Sequence, residues 1–279
     1  MIIDICDVEH GQCAIIHSPM RNGLAMVDCG HNATRPWRPS DHIRNVLRRS
    51  RLDYLLITNA DQDHFSDLWG LTQDVTIGTF YCNRTLRPEA LRELKLQQDG
   101  GCITNDAAAY MHLQQNYVHA IPVPFEQGME GVVCRPYWNT HRDGDNTNDS
   151  SLVVFLEWQG FKILFPGDLE PEGWRRLMQQ PGFLPELPTT TILVASHHGR
   201  TTGFCPEAFR YLRPQAVVIS DKDPVHDTQD TLADYAAVVP APGINVGGKE
   251  GPIRVLRTYA HGHIRFTVGA THYTVTTQL

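Results

Sequence analysis

Thr58-Asn59-Ala60-Asp61-Gln62-Asp63-His64 follows the apolar run Leu55-Leu56-Ile57 and sets two carboxylates and an imidazole within a few residues of each other. Neighbouring carboxylates repel one another unless a cation lies between them. Oxygen and nitrogen donors gathered at a strand end can hold a divalent metal. The same residues also suit a solvated acidic loop whose Asp caps the next helix. This loop alone leaves both readings open.

The rest of the chain repeats the pattern. Phe161–Phe165 runs into Pro166-Gly167-Asp168, and Thr191–Ala195 runs into Ser196-His197-His198-Gly199. Ala216–Ser220 runs into Asp221-Lys222-Asp223-Pro224-Val225-His226. Buried-looking strands thus release an Asp or His one after another. In sheets covered by helices, ligands gather at strand ends. A shared metal site is the reading that accounts for all of these stretches together.

The motif order resembles that of metallo-β-lactamase-fold hydrolases, and within them the metallo-hydrolase domain of the ComEC competence proteins. Asp7-Val8-Glu9-His10-Gly11-Gln12-Cys13-Ala14 resembles the family's opening strand and turn, and Val27-Asp28-Cys29-Gly30 its second strand. Asn59-Ala60-Asp61-Gln62-Asp63-His64 resembles an HxDxDH metal motif. Asn148–Val154, Leu164–Asp168 and Ser196–Gly199 resemble the later motifs, and His226 falls where a last His is expected. The likeness runs from about residue 2 to residue 240. Two departures stand out. Asn59 replaces the motif's first His, and the opening turn carries Glu9 and His10 in place of small or amide residues. Asn is a poorer zinc ligand than imidazole, so one metal position is expected to be weak, oxygen-rich or empty.

The resemblance implies an α/β protein, a metallo-β-lactamase-like αββα sandwich, with residues 1–240 as the hydrolase domain. Residues 241–279 are expected to form a small C-terminal β extension packed on it. One or two divalent ions, zinc or manganese, are expected at Asn59, Asp61, Asp63, His64, Asp149, Asp168 and His226. Asp168 is expected to bridge them, and Asp28 to orient a ligand from behind. Asp63, His197 and His198 are the expected catalytic groups, with His197 as ligand and His198 as proton donor. The implied reaction is phosphodiester hydrolysis, with nucleic acid as substrate. Hydrolysis of a small ester, lactone or cyclic nucleotide stays open, as does a degenerate fold serving as an interaction module.

Composition fits a globular protein: 279 residues, 41% hydrophobic and 20% charged. The net charge of -7 opposes a broad electrostatic grip on nucleic acid. A local strip through Arg35, Arg38, Arg44, Arg48, Arg49 and Arg51 is the candidate basic surface, on a helix capped by Ser40 with Ile43, Val46 and Leu47 inward. The seven cysteines form no CxxC pair, which points to a reducing compartment. No signal pattern and no apolar run of about 20 residues is present, so a cytoplasmic chain without membrane contact is expected. Without the competence proteins' membrane channel, a bacterial defence system is the expected setting, with a partner protein encoded next door.

Strands are expected at Ile2–Ile5, Cys13–His17, Leu24–Asp28, Tyr54–Thr58 and Val132–Arg135. Leu152–Trp158 and Phe161–Phe165 form a hairpin around Gln159-Gly160. Helices begin at Pro171 and Pro206, and a third covers Thr228–Val239. Asp106–His119, with its weak apolar stripe, is expected to be a mobile cover. Three last strands are expected at Ile253–Tyr259, Ile264–Val268 and His272–Thr276, with His261, His263 and His272 at turns and surface rather than on metal.

Overall fold

The computed structural model of the chain describes residues 1–98, 100–118, 125, 128–223, 231–240 and 242–278. Its strands begin with β1 (Ile2–Ile5), β2 (Ala14–His17), β3 (Leu24–Val27), β4 (Arg51–Leu56) and β5 (Thr76–Tyr81). β6 (Val133–Trp138), β7 (Leu152–Trp158), β8 (Phe161–Phe165), β9 (Ile192–Val194) and β10 (Ala216–Ile219) follow. The chain ends with β11 (Ile244–Asn245), β12 (Pro252–Ile253), β13 (Val255–Arg257), β14 (His263–Val268) and β15 (Tyr273–Gln278).

The first sheet has the order β15-β14-β1-β2-β3-β4-β5, and the second β13-β10-β9-β8-β7-β6. Both faces of each sheet are covered, so central strands are apolar at consecutive positions. In β2 and β3, Ile16 and Val27 enter the core between the sheets, while Ile15 and Met26 face the helix layer outside the first sheet. In β7, Val154 and Leu156 point between the sheets, and Val153 and Phe155 point to the outer layer of the second. That layer holds Trp174, Phe183, Phe209 and Tyr235. Helices outside two facing sheets give the αββα sandwich.

β3, β4 and β5 are parallel, as are β8, β9, β10 and β13. Parallel strands end on a common edge, which carries the loops after β4, β8 and β9 to one place. The three last expected strands are divided between the sheets. β13 pairs with β10, while β14 pairs with β1 and carries β15. Instead of continuing to Tyr259, β13 stops at Arg257 and a helical turn, Thr258–His261, follows.

Several local expectations change. β5 escaped the reading because Gly78 interrupts its apolar pattern. Residues His42–Val46 wind as a π-helix, whose wider turn leaves Val46 65% exposed while Ile43 stays buried. Ser40 makes no side-chain cap there; its backbone N–H donates to Asp67. The arginine strip is largely neutralised: Arg35 faces Asp7, Arg38 Asp67, Arg44 Asp74 and Arg51 Asp53. The expected cover is a packed helix, Asn105–Asn116, capped by Thr104 and buried through Ala107, Tyr110 and Leu113. His119 and Thr228–Asp230 lie outside the described residues. His263 is half-buried and accepts the Asp7 N–H rather than lying at the surface. Among the described residues no helix is long and apolar enough to cross a membrane. Six cysteines are buried thiols and Cys102 is exposed.

Asp4 of β1 ties the chain's start to its end. Its carboxylate accepts two bonds from Arg265 of β14, at 2.6 and 2.9 Å, and His17 lies 3.4 Å away. Burial alone would raise the Asp4 pKa, but His17 and Arg265 hold it below the ordinary value. A carboxyl with a lowered folded pKa stabilises the fold above its unfolded pKa of about 3.9 and loses that contribution as pH falls through the folded value. Asp4→Asn is therefore expected to lower the thermal midpoint near neutral pH, with the gap to the parent closing on acidification. A gap that does not change with pH would show that this ion pair contributes nothing.

Candidate metal centre

Asp28 follows β3 in a left-handed conformation, φ 61°, and is fully buried. Its carboxylate accepts the Thr58 N–H and the Thr58 hydroxyl, both at 2.6 Å, and faces His64 Nδ1 at 3.1 Å. The loop after β4 is thereby fastened to the end of β3. Backbone bonds secure the other side: Cys29 N donates to the His64 carbonyl at 2.7 Å, and Gln12 N to that of Asp63 at 3.4 Å. Gly30 permits this approach, since a Cβ there would meet the Asp63 carbonyl at 2.6 Å.

From the second sheet, Asp168 follows β8 and His198 follows β9. His64 Nε2 lies 2.9 Å from Asp168 Oδ1. His198 Nε2 lies 3.2 Å from Asp63 Oδ2 and 3.3 Å from Asp168 Oδ1. Donor atoms of Asp63, His64, Asp168 and His198 all lie within 4.8 Å of one another. Beside them is a cavity of about 10 Å³, lined by Gln12, Asp28, His64, Asp168 and His198 among others, with room for one small ion or water.

Burial alone would neutralise all four groups; their mutual charges overcome it. His64 and His198 hold Asp168 well below the carboxylate range, and Asp63 is lowered likewise. Asp168 and Asp28 raise His64 well above its ordinary value. Against burial, Asp168 and Asp63 push His198 up to about 9. The Asp63 and Asp168 carboxylates thus face two imidazoles whose pKa they raise, with the Asp28 carboxylate behind His64. A divalent cation would answer the same negative charge while the rings lose their protons, the exchange expected of a metal site. His198 Nε2 is buried between the Asp63 and Asp168 carboxylates, and Gln12 Nε2 is buried without a hydrogen-bond partner among the described residues. An imidazole nitrogen held between two carboxylates fits a metal ligand. With two nitrogen and two oxygen donors, the residues fit a divalent metal ion.

Among the described residues, the other expected ligands Asn59, Asp61 and Asp149 do not join this group. Asn59 accepts the Ala60 N–H at 2.6 Å and donates to Asn148 at 2.9 Å. Asp61 accepts from Lys95 Nζ at 2.7 Å and from Thr147 at 3.0 Å. Asp149 accepts the Gly173 N–H at 2.8 Å, at the start of the helix Pro171–Met178. His226 lies outside the described residues. Asp221 pairs with Arg257. Of the two adjacent histidines, the structure brings His198 into the cluster. His197 stands beside it, with Nε2 3.9 Å from Asp168 and Nδ1 2.9 Å from the Thr202 hydroxyl and 3.5 Å from Glu170.

Sequence reading missed His10 and Arg200 as site residues. The His10 ring centroid lies 4.5 Å from that of His198, and its Nε2 lies 3.6 Å from Asp63 and 3.0 Å from Arg200 Nη2. Burial and the neighbouring His198 push the His10 pKa down to about 4. The unusual Glu9-His10 turn was the available signal. Arg200 had none beyond its place after Gly199.

No family model matches the chain. It is 24% identical over 232 residues to ComE operon protein 3 of Bacillus subtilis, covering 78% of this chain and 28% of that protein. The chain thus spans less than a third of the length of the curated relative it matches. Among solved structures it is similar to a mutant of the CmlA β-hydroxylase, with TM-score 0.51 and 14% identity over 96% of this chain and 54% of that one. It is also similar to the metallo-β-lactamase fold protein YhfI of Bacillus subtilis, with TM-score 0.44, 11% identity and coverage of 92% and 96%. By fold, the chain is a metallo-β-lactamase-like αββα sandwich.

Proposed function

We propose that the chain is a metal-dependent phosphodiesterase acting on nucleic acid, with Asp63, His64, Asp168 and His198 holding the ion. The observation that carries this reading is the convergence of those four groups, with His198 Nε2 set between the Asp63 and Asp168 carboxylates. When bound, a divalent ion there supplies a Lewis acid and a water of lowered pKa. Asp28 and Thr58 fix the His64 ring from behind, as second-layer partners of metal-bound imidazoles do.

Asp63 is the most accessible of the four, its side chain 26% exposed, so the cluster is approached from its side. His10 and Arg200 stand at that approach. Arg200 Nε is buried and has no hydrogen-bond partner among the described residues. A guanidinium suits a phosphate oxygen in charge and shape. That choice, together with the likeness to the competence protein, favours a phosphodiester over a neutral ester. His197 sits against Asp168 and Glu170, beside the cluster, and is the imidazole to which this reading gives the protonation of the leaving oxygen. This assigns the ligand role to His198 and the acid role to His197.

The purified protein is expected to bind Zn²⁺ or Mn²⁺, and Asp168→Ala to remove most of it. Elemental analysis after dialysis against either metal is the check, and a metal content near zero in the parent would end this reading.

The two histidine variants are expected to differ. His198→Ala should lose metal and turnover together. His197→Ala should keep its metal and lose about 10²- to 10⁴-fold in turnover, the range for a general acid. Because a phenolate leaves without a proton, that loss should shrink on a nitrophenyl phosphodiester. Retention of metal and turnover by both variants would place both rings outside the chemistry.

Arg200→Ala should weaken hydrolysis of a nitrophenyl phosphodiester while sparing any hydrolysis of the matching neutral ester. Comparison of kcat/KM on the two substrates tests this, and equal losses would remove the argument for a phosphate clamp.

A further inference from the structure

The loop Asp61-Gln62-Asp63-His64 carries two carboxylates, yet only Asp63 enters the metal cluster. Asp61 turns instead to Lys95, whose Nζ lies 2.7 Å from Oδ1. Lys95 belongs to the helix Pro88–Gln98, and its side chain is only 6% exposed. A lysine ammonium is seldom buried unless it meets an anion, because desolvation opposes it. The second Asp61 oxygen is taken by the Thr147 hydroxyl at 3.0 Å. The adjoining residues extend this arrangement. Asn59 donates to Asn148, and Asn148 donates to Glu170 at 3.0 Å. Glu170 in turn lies 3.5 Å from His197. Among the described residues, the oxygens and amides of Asn59, Asp61 and Asn148 that could have held a second ion are thus engaged with an ammonium, a hydroxyl, a carboxylate and one another.

We infer that the buried ammonium of Lys95 takes the place of a second divalent cation beside the Asp61 carboxylate, so that the protein binds one divalent ion and not two. This rests on the metal reading above and extends it. Lys95 is a positioning residue: it neutralises Asp61 and holds the 59–64 loop against the Thr147–Asn148 turn. The residue Asn59 agrees with this. As an amide, it can donate to Asn148 where an imidazole ligand would have faced a metal.

The test uses Mn²⁺ alone as probe, titrated into the metal-free full chain, with stoichiometry from equilibrium dialysis and the nuclearity from electron paramagnetic resonance. The parent is expected to bind one equivalent with the six-line spectrum of an isolated ion. Lys95→Arg should behave like the parent. Lys95→Ala, which leaves Asp61 without its cation, should take up a second, weaker equivalent. Asp61→Asn should still bind one equivalent with unchanged affinity, a check that holds even if Lys95→Ala does not fold. Two equivalents in the parent, or loss of the ion from Asp61→Asn, would overturn the inference and leave the metal reading standing. One equivalent in a folded Lys95→Ala would overturn the role given to Lys95. No bound ion in the parent would overturn the metal reading itself.

Discussion

The buried carboxylate of Asp168 is the constraint around which the two sheets are joined. It is 3% exposed and sits at the end of β8, facing the loop of the opposite sheet. An ionised carboxylate out of water needs strong compensation. His64 Nε2 at 2.9 Å provides it from the first sheet, and His198 at 3.3 Å from the second. His64 is held in turn by Asp28, and Asp28 by Thr58. Thr58 returns to the second sheet, since its carbonyl accepts the Leu152 N–H at 2.7 Å. The network therefore fastens the sandwich at one end while fixing the direction of each ring. In this fold the charge balance of the site and the seating of one sheet on the other are the same set of contacts.

Much of this could be read from residue order. Central strands such as β7 and β8 are continuous apolar runs, as strands covered on both faces must be. Donors placed just after those runs were legible because a parallel strand delivers its next residue to a shared edge. Asp63, His64, Asp168 and His198 all fall at such ends. What order could not reveal was the direction of each side chain within a loop. Asp61 and Asp63 are equivalent in a string of letters. Whether one faces Lys95 depends on a helix residue 34 positions further along the chain. Asp149 looked like a ligand beside Asn148, yet its carboxylate caps the helix that begins at Pro171. In each case a long-range partner decides, and local spacing carries no trace of it.

Edges were harder to read than centres. β14 alternates buried and open residues without a break, with Ile264, Phe266 and Val268 inward and Arg265 and Thr267 outward. That pattern marks a strand with one covered face but does not say which sheet it joins. β14 reaches β1 of the first sheet, while β13, a few residues earlier, lies beside β10 of the second. The helical turn Thr258–His261 between them carries the chain from one sheet to the other. The Asp4–Arg265 pair then fixes β14 in register on β1, with Asp4 directly opposite Arg265.

The His197-His198-Gly199 turn shows how strain serves direction. Both histidines adopt left-handed backbone, φ 51° and 52°, and Gly199 follows at 74°. Each non-glycine residue in that region costs about 1 to 3 kcal/mol and persists only where surrounding contacts impose it. Here the His197 N–H is held by the Gly167 carbonyl, the Ser196 hydroxyl by the Leu169 carbonyl, and the Gly199 carbonyl by Thr231. Gly199 admits no Cβ, which would meet Ile219 at 2.8 Å. In an extended strand two neighbouring side chains point to opposite faces. The left-handed turn instead leaves the two rings 6.4 Å apart at 69° to each other, one toward Asp63 and Asp168 and the other toward Glu170 and Thr202. A relaxed strand would have sent one imidazole away from the cleft; the strained turn brings both to it, one inside the cluster and one at its side.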